Sequence, residues 1–443
     1  MLSSSTGSRG IPLAEILPQS HFFGGSAFRV TACCDVAELC QPGDLYAAIV
    51  RGDRDGHEDA DVALRRGAAG VLAERPLPLA IPTCVVKDSR SAFSRVCQAL
   101  AGNPSQSLRT VGVSGSHGKT VASTLIAAIL EEAREPVGLL NSLGVCDGVN
   151  LRNPLPEELP VPEVAHWLAT TRDHGCTHAV LEVSSLTLAQ RRLEGVLLDV
   201  AVINDLRRSH LHVHGTVSNY RRAVERILRH LKPDGTVVLN ADDPAACALT
   251  SKFHGPALTY GLRQPSDVSG RILEVQHGEQ TLLITHDDVS IAVTTRITGT
   301  AHAMNCLAAA AAVVSLGVPL ETVAAGLEAV SRIPGRMEVL RLGHDVPVYL
   351  DTVVSPESLA SALKSLRQIT SGRICCVFGM PTTHDPNERP IFGRTLENLA
   401  DIAVLTSANR ARKLPLHIAH DVLDGLERPA VAELIPDRDR ALR

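Results

Sequence analysis

Aromatic side chains are scarce in this chain: one Trp, four Tyr and seven Phe among 443 residues, or 3%. That scarcity argues against a base-stacking surface for single-stranded nucleic acid. No charge bias stands in for it. The net charge is −5 and the basic residues are scattered, so no general pull toward nucleic acid is expected. Apolar runs are short, and none approaches the ~20 residues that a membrane span needs. The opening "MLSSSTGSRGIPLAEILPQS" has no apolar h-region, so no signal peptide is expected and a cytoplasmic location follows. Internal repeats and low-complexity tracts are missing too. The eleven cysteines are dispersed, with Cys33-Cys34 and Cys375-Cys376 as adjacent pairs; none has zinc-ligand spacing, and reduced, buried thiols are expected.

What is present is an ordinary globular composition, 44% hydrophobic and 21% charged, in a chain long enough for two or three domains. Strand-like and helical patterns alternate throughout. Early in the chain, "DLYAAIV" and "IPTCVVKD" read as strands and "SAFSRVCQALAG" as an amphipathic helix. "NPSQS" at 103–107 reads as a linker. Beyond it, "LRTVGV", "HAVLEVSS", "LDVAVIND" and "TVVLNADD" read as buried strands separated by helices, which implies a parallel sheet covered on both faces. Residues 270–297 alternate around a Gly turn and predict an antiparallel excursion. "RIPGRMEVL" marks a second boundary. After it "VPVYLDT", "RICCVFGM" and "DIAVLTSA" are buried-strand candidates, with helices between, of a third α/β unit. The expected division is 1–105, 106–331 and 332–443.

The strongest local signal is "SGSHGKT" at 114–120, a Gly-rich turn between a β-branched strand and a long helix. Glycines let backbone N–H groups approach phosphate oxygens, and a helix N-terminus adds partial positive charge. Lys119 is placed to reach phosphates and Thr120 to offer a hydroxyl to Mg²⁺. The bland alternative is a tight turn with an incidental Lys-Thr. The general spacing wants a Gly where Val113 stands, so the match to that pattern is partial.

The fuller stretch "VGVSGSHGKT" resembles the loop of the Mur ligases, ATP-dependent enzymes that add amino acids to UDP-muramic acid in peptidoglycan synthesis. Other stretches resemble that family in the same order: "PGDLYAAIVRGDRDGHEDADVALRRGAAGVLAE", "LEVSS" at 181–185, "HLHVHGT" at 210–216 followed by Tyr220, "NADDP" at 240–244, "PGRME" at 334–338 and "VFG" at 377–379. They point to the tripeptide-forming branch, which adds diaminopimelate or lysine. The resemblance implies an α/β, three-domain architecture: an N-terminal UDP-substrate-binding-like domain, a central P-loop ATPase domain with a parallel sheet, and a C-terminal Rossmann-like domain that is short here. It implies ATP and Mg²⁺ as cofactors and a UDP-muramoyl peptide or related small molecule as partner. Other cell-wall enzymes are candidate partners. By the same resemblance Gly115, Ser116, His117, Gly118, Lys119 and Thr120 cradle the nucleotide's phosphates. Glu182 and His210 join Thr120 at the metal, and Lys119, Glu182 and His210 form the catalytic group. Asn305, Arg336 and Asp351 contact adenine, phosphates and ribose respectively.

The sequence also departs from that family. Val224 stands where these ligases carry a lysine whose carbamate helps to bind a second Mg²⁺. Leu186 stands in place of a His, Ser209 and His212 in place of two Asp, and Asn204-Asp205 in place of Thr-Asn. The amino-acid recognition tetrad Asp-Asn-Pro-Arg becomes Ala408-Asn409-Arg410-Ala411, with Arg412 nearby. A second segment, Gly-Asp-Arg-Asp-x-x-Lys-Arg, becomes residues 382–389, in which Glu388 reverses a charge. Of Asp-Tyr-Ala-His only Asp351 remains. A terminal Gly-Lys-Gly-His-Glu segment has no counterpart before Arg443, and the uridine-side Asp-Ser-Arg aligns with Val36-Ala37-Glu38. Three readings stay open: a tripeptide-forming ligase, a non-catalytic ATP-binding paralogue, and a ligase with a changed carboxylate or amine.

Overall fold

The computed structural model describes residues 10–24, 29–152, 159–207, 211–276, 278–340, 343, 346–380, 385–408 and 414–443, with His212 described by its backbone alone. The site is placed by a central sheet of eleven strands, and the phosphate-loop strand Arg109–Ser114 lies in its interior. It pairs in parallel with His178–Glu182 on one side and Leu198–Ile203 on the other. These three strands read as near-continuous apolar runs because helices cover both faces of the sheet. One face holds helices Lys119–Glu132, Thr300–Val314 and Leu320–Ala329, with Val111, Val113, Leu125, Ile129 and Leu307 in its core. The other buries Trp167, Leu181, Leu198, Tyr220, Val224 and Ile227.

Register carries the functional consequence. Val113 pairs with Glu182 and Ser114 with Ile203, so three parallel strands end together at one edge. That edge, outside the carboxyl ends of the strands, is where open α/β sheets bind ligands. The antiparallel excursion expected over 270–297 is present as Val268–Gln276, Glu279–His286 and Val289–Thr295, and it continues the same sheet.

The N-terminal unit has a five-stranded sheet ordered His21–Phe23, Thr83–Val85, Gly70–Ala73, Leu45–Ala47, Cys33–Cys34. Helix Ser89–Leu100, capped by Asp88, packs into a core that includes Val161 and Ala165 from the central unit. The segment read as a linker is no loose tether. Pro104–Gln106 forms one 3₁₀ turn, and the buried Ser105 accepts a hydrogen bond from Leu197 N at 3.1 Å. The cysteines carry no disulfide, but burial is not uniform: Cys375 is exposed. Cys34, Cys40 and Asp44 bring ligand atoms within 4.8 Å of one another, three donors where a closed tetrahedral zinc site takes four.

The C-terminal unit has three parallel strands, Cys375–Met380, Ile402–Ser407 and Ala432–Leu434. "VPVYLDT" does not join them. Its strand Val348–Leu350 pairs antiparallel with Glu338–Leu340 in a separate ribbon that carries Arg336 and Asp351 at its end. The expected burial is not there either: none of the residues of the ribbon's two strands is fully buried.

Candidate functional site

The turn between Ser114 and helix Lys119–Glu132 needs backbone that only glycine adopts readily. Gly115 has φ +133° and Gly118, the residue before the helix, φ +78°. Space is restrictive as well. A Cβ on Gly118 would stand 2.1 Å from Asn305 Oδ1 and 2.9 Å from Asn204 Nδ2. Gly118→Ala is therefore expected to distort the loop and abolish nucleotide binding, measured by titration with a fluorescent ADP analogue; affinity within tenfold of the unaltered chain would contradict this reading of the loop.

The loop's side chains are each held. Lys119 Nζ donates to Gly115 O at 3.1 Å, which folds the ammonium back over the turn. Thr120 Oγ1 donates to Glu182 Oε2 at 2.9 Å and lies 2.8 Å from Ser142 Oγ. Ser142 N donates to the same Glu182 oxygen at 3.0 Å. Arg336 Nη2 reaches Thr120 Oγ1 and Ser142 Oγ, both at 3.4 Å, from a segment 216 residues beyond Thr120. One cation, two hydroxyls and a carboxylate thus meet beside the loop, at the residue that follows Lys119. The hydroxyl and carboxylate oxygens are hard donors of the kind that suit Mg²⁺.

The other side of the loop is braced by Asn204 and Asp205, the residues just after strand Leu198–Ile203. Ser116 N donates to Asp205 O at 3.0 Å and His117 N to Asp205 Oδ1 at 2.8 Å. Asn204 Nδ2 donates to His117 O at 3.0 Å, and Ser116 Oγ lies 2.8 Å from the Tyr220 hydroxyl. Burial pushes the Asp205 carboxyl up, but the hydrogen bonds and charge of His117, with help from Arg207, outweigh it and hold the carboxyl below the usual aspartate value. The ionised form therefore stabilises the fold above the unfolded pKa of about 3.9, and that contribution is lost as pH falls through the lower folded value. Thermal midpoints taken from pH 7 down to the acid limb should fall less steeply below about pH 4 in Asp205→Asn than in the unaltered chain; parallel curves would show that Asp205 adds nothing to acid sensitivity.

Among the sequence candidates, Gly115, Ser116, His117, Gly118, Lys119, Thr120, Glu182 and Arg336 converge at this edge, and Asn305 stands against Gly118. Asp351 lies beside them rather than among them: its Oδ1 accepts from Met337 N at 3.2 Å, and burial pushes its carboxyl up. His210 lies outside the described residues, as do Ser209, Asn409, Arg410, Ala411, Arg412 and 382–384. Leu186, half-buried in the short helix Ser185–Ala189, brings no ligand atom. Its neighbour Ser185 meets His214 Nε2 at 2.9 Å, and His214 packs edge-on against Tyr220. Val224 is fully buried in the apolar cluster with Tyr220 and Ile227. Arg389 is buried and paired with Asp421 at 2.7 Å, so it braces the C-terminal unit. Sequence reasoning missed Ser142 and the bracing role of Asn204 and Asp205. The polar Asn141-Ser142 pair closing the apolar run at 137–140 was the one available signal for Ser142.

Known proteins resemble the chain across this whole framework. The model of the Mur ligase middle domain matches residues 113–313, and that of the Mur ligase glutamate ligase domain matches 335–443. The UDP-N-acetylmuramoyl-L-alanyl-D-glutamate–2,6-diaminopimelate ligase of Geobacillus kaustophilus is 33% identical over 411 residues, 90% of this chain and 83% of its own length. The ligase of the same name from Geobacter metallireducens is 31% identical over 94% of this chain and 83% of its own. A solved structure of a ligase so named superposes with TM-score 0.72 at 25% identity, covering 98% of this chain and 90% of the other. The fold is shared with a MurF ligase from Thermotoga maritima solved in complex with ADP, at TM-score 0.63 and 20% identity, over 93% of this chain and 96% of that one.

Proposed function

The chain belongs to the Mur ligase family, and from that premise we propose that it is an ATP-dependent amide ligase that extends a UDP-N-acetylmuramoyl dipeptide by one amino acid in peptidoglycan synthesis. The convergence of Lys119, Thr120, Glu182 and Arg336 at the carboxyl edge of the central sheet carries this reading. In it, residues 1–105 take the UDP end of the substrate, 106–331 the ATP, and 332–443 close from the other side.

The chemistry places crowded negative charge at one point. The substrate carboxylate attacks the γ-phosphorus of ATP, ADP leaves, and the resulting acyl phosphate is attacked by the incoming amine with loss of phosphate. Loop N–H groups and the start of helix Lys119–Glu132 would bind the phosphates. Lys119 and Arg336 would neutralise charge as it moves from the γ-phosphate to the acyl phosphate. Thr120 and Glu182 would hold Mg²⁺, which supplies further charge neutralisation and orients the phosphates. Asn305 and Asp351 are the proposed nucleoside contacts.

Val224 favours a second reading. A buried hydrocarbon stands where the tripeptide-forming ligases place a metal-binding carbamate, and it offers no donor atom. A chain that binds ATP without using it, acting as a partner in wall synthesis, would tolerate that change. The two readings separate when the purified protein is incubated with ATP, Mg²⁺, UDP-N-acetylmuramoyl dipeptide and mixed amino acids. ADP release that requires the dipeptide supports the ligase. Nucleotide binding with no turnover sinks tripeptide synthesis and leaves the non-catalytic chain and a ligase for another carboxylate or amine.

A further inference from the structure

His117 is committed on both edges of its ring. Nδ1 lies 2.9 Å from Asp205 Oδ2, while the residue's backbone N–H binds the other carboxylate oxygen. Nε2 lies 2.8 Å from Ser355 Oγ, 238 residues further along and in the C-terminal unit. A neutral ring fits these distances. The ionised Asp205 accepts from Nδ1–H, Nε2 accepts from the Ser355 hydroxyl, and Ser355 Oγ keeps a lone pair for Ser358 N at 3.1 Å.

An Asp–His–Ser series in this order is the constellation of a nucleophilic serine. The surroundings of Ser355 rule out that use. It is 3% exposed, and its Oγ is the N-cap of helix Pro356–Ile369 in a reciprocal capping box with Ser358. What the series does is join the phosphate loop to the helix on which the C-terminal unit is built. Arg336, reaching Thr120 and Ser142, is the second such bridge.

We propose that Asp205–His117–Ser355 is an interdomain latch, in which His117 is a positioning residue that couples phosphate-loop geometry to seating of the C-terminal unit. The departure at Asp205 therefore acts with a residue of the loop: the Asp at 205 fixes the ring of the His at 117. The consequence for nucleotide rests on the ligase reading above. A phosphate seated on the loop stiffens the segment that presents His117, and docking of the C-terminal unit must then raise nucleotide affinity by the same factor. Ser355 would act on ADP without touching it.

Two readouts on the full chain test this, and the first needs no nucleotide. Hydrogen exchange over residues 114–119 should speed up by about two- to tenfold in Ser355→Ala, the range that one neutral hydrogen bond carries. Ser355→Thr, which keeps the hydroxyl, should restore the slow rate. Because Ser355→Ala also removes a helix cap, His117→Asn is the second arm. It spares the cap and should change exchange at 352–359, across the domain boundary, while adding it to Ser355→Ala should change exchange over 352–359 no further. The second readout is ADP affinity, expected to weaken by about two- to tenfold in Ser355→Ala. Loop exchange unchanged in Ser355→Ala, or additive effects in the double variant, overturns the latch. Failure of the unaltered chain to bind ADP overturns the nucleotide reading instead, and leaves the exchange result to decide the latch.

Discussion

Lys119→Ala is expected to lower dipeptide-dependent ADP release by about 10²–10³-fold, the usual cost of removing one preorganised charge stabiliser from such a site. Lys119 is the first residue of helix Lys119–Glu132, and its ammonium folds over the turn onto Gly115 O. Alanine is the best helix former, so the substitution keeps the helix and removes the ammonium with its hydrogen bond to Gly115 O. The thermal midpoint should stay close to that of the unaltered chain while turnover collapses. Arg336 does not take its place, because its Nη2 is held at Thr120 and Ser142. Lys119→Arg should not restore full rate either, since a planar fork does not occupy the place of a compact ammonium. A coupled ADP assay decides the matter: a variant that keeps more than a tenth of the rate would show that the loop does not stabilise the transferring phosphate.

Restoring the family's lysine should fail. Val224→Lys is expected to destabilise the fold by about 3–5 kcal/mol, the scale for a buried charge left without a partner. Val224 is fully buried, on helix Val217–Glu225, in a cluster with Tyr220, Ile227, Leu198 and Leu188. A carbamate formed on that lysine would bring a negative charge into the same apolar surroundings, so bicarbonate should give no rescue. Denaturant midpoints with and without bicarbonate measure the loss. A variant of unaltered stability, whose ADP release rises with bicarbonate, would mean that one residue alone separates this chain from the two-metal ligases.

The features legible in the sequence were those set by a few adjacent residues. "SGSHGKT" declared its turn because only glycine takes φ of +133° and +78° at Gly115 and Gly118 with ease, and Lys119 follows at the helix start. The strands ending at Glu182 and Ile203 showed as buried runs. Val348–Leu350 was misplaced because a short apolar run looks alike in a sheet and in a surface ribbon. The role of Asp205 was hidden: in the sequence it is a departure from the family pattern, and only its distance to His117 shows a partner for it.

The sequence by itself determined the chain's family, through motifs that resemble it in order, and also the phosphate turn and the alternation of strands and helices, since periodicity and glycine stereochemistry act over a few residues. The tertiary structure decided which strands lie side by side, and so which strand ends meet. It placed Ser142 at Thr120, 22 residues apart, Arg336 at the same hydroxyl, 216 apart, and Ser355 at His117, 238 apart. Such contacts depend on the order of parallel strands and on which face of the C-terminal unit docks at the loop. Both are settled by the summed burial of Val111, Val113, Leu181, Leu198 and many others across two sheet faces, a quantity that no local stretch of sequence contains.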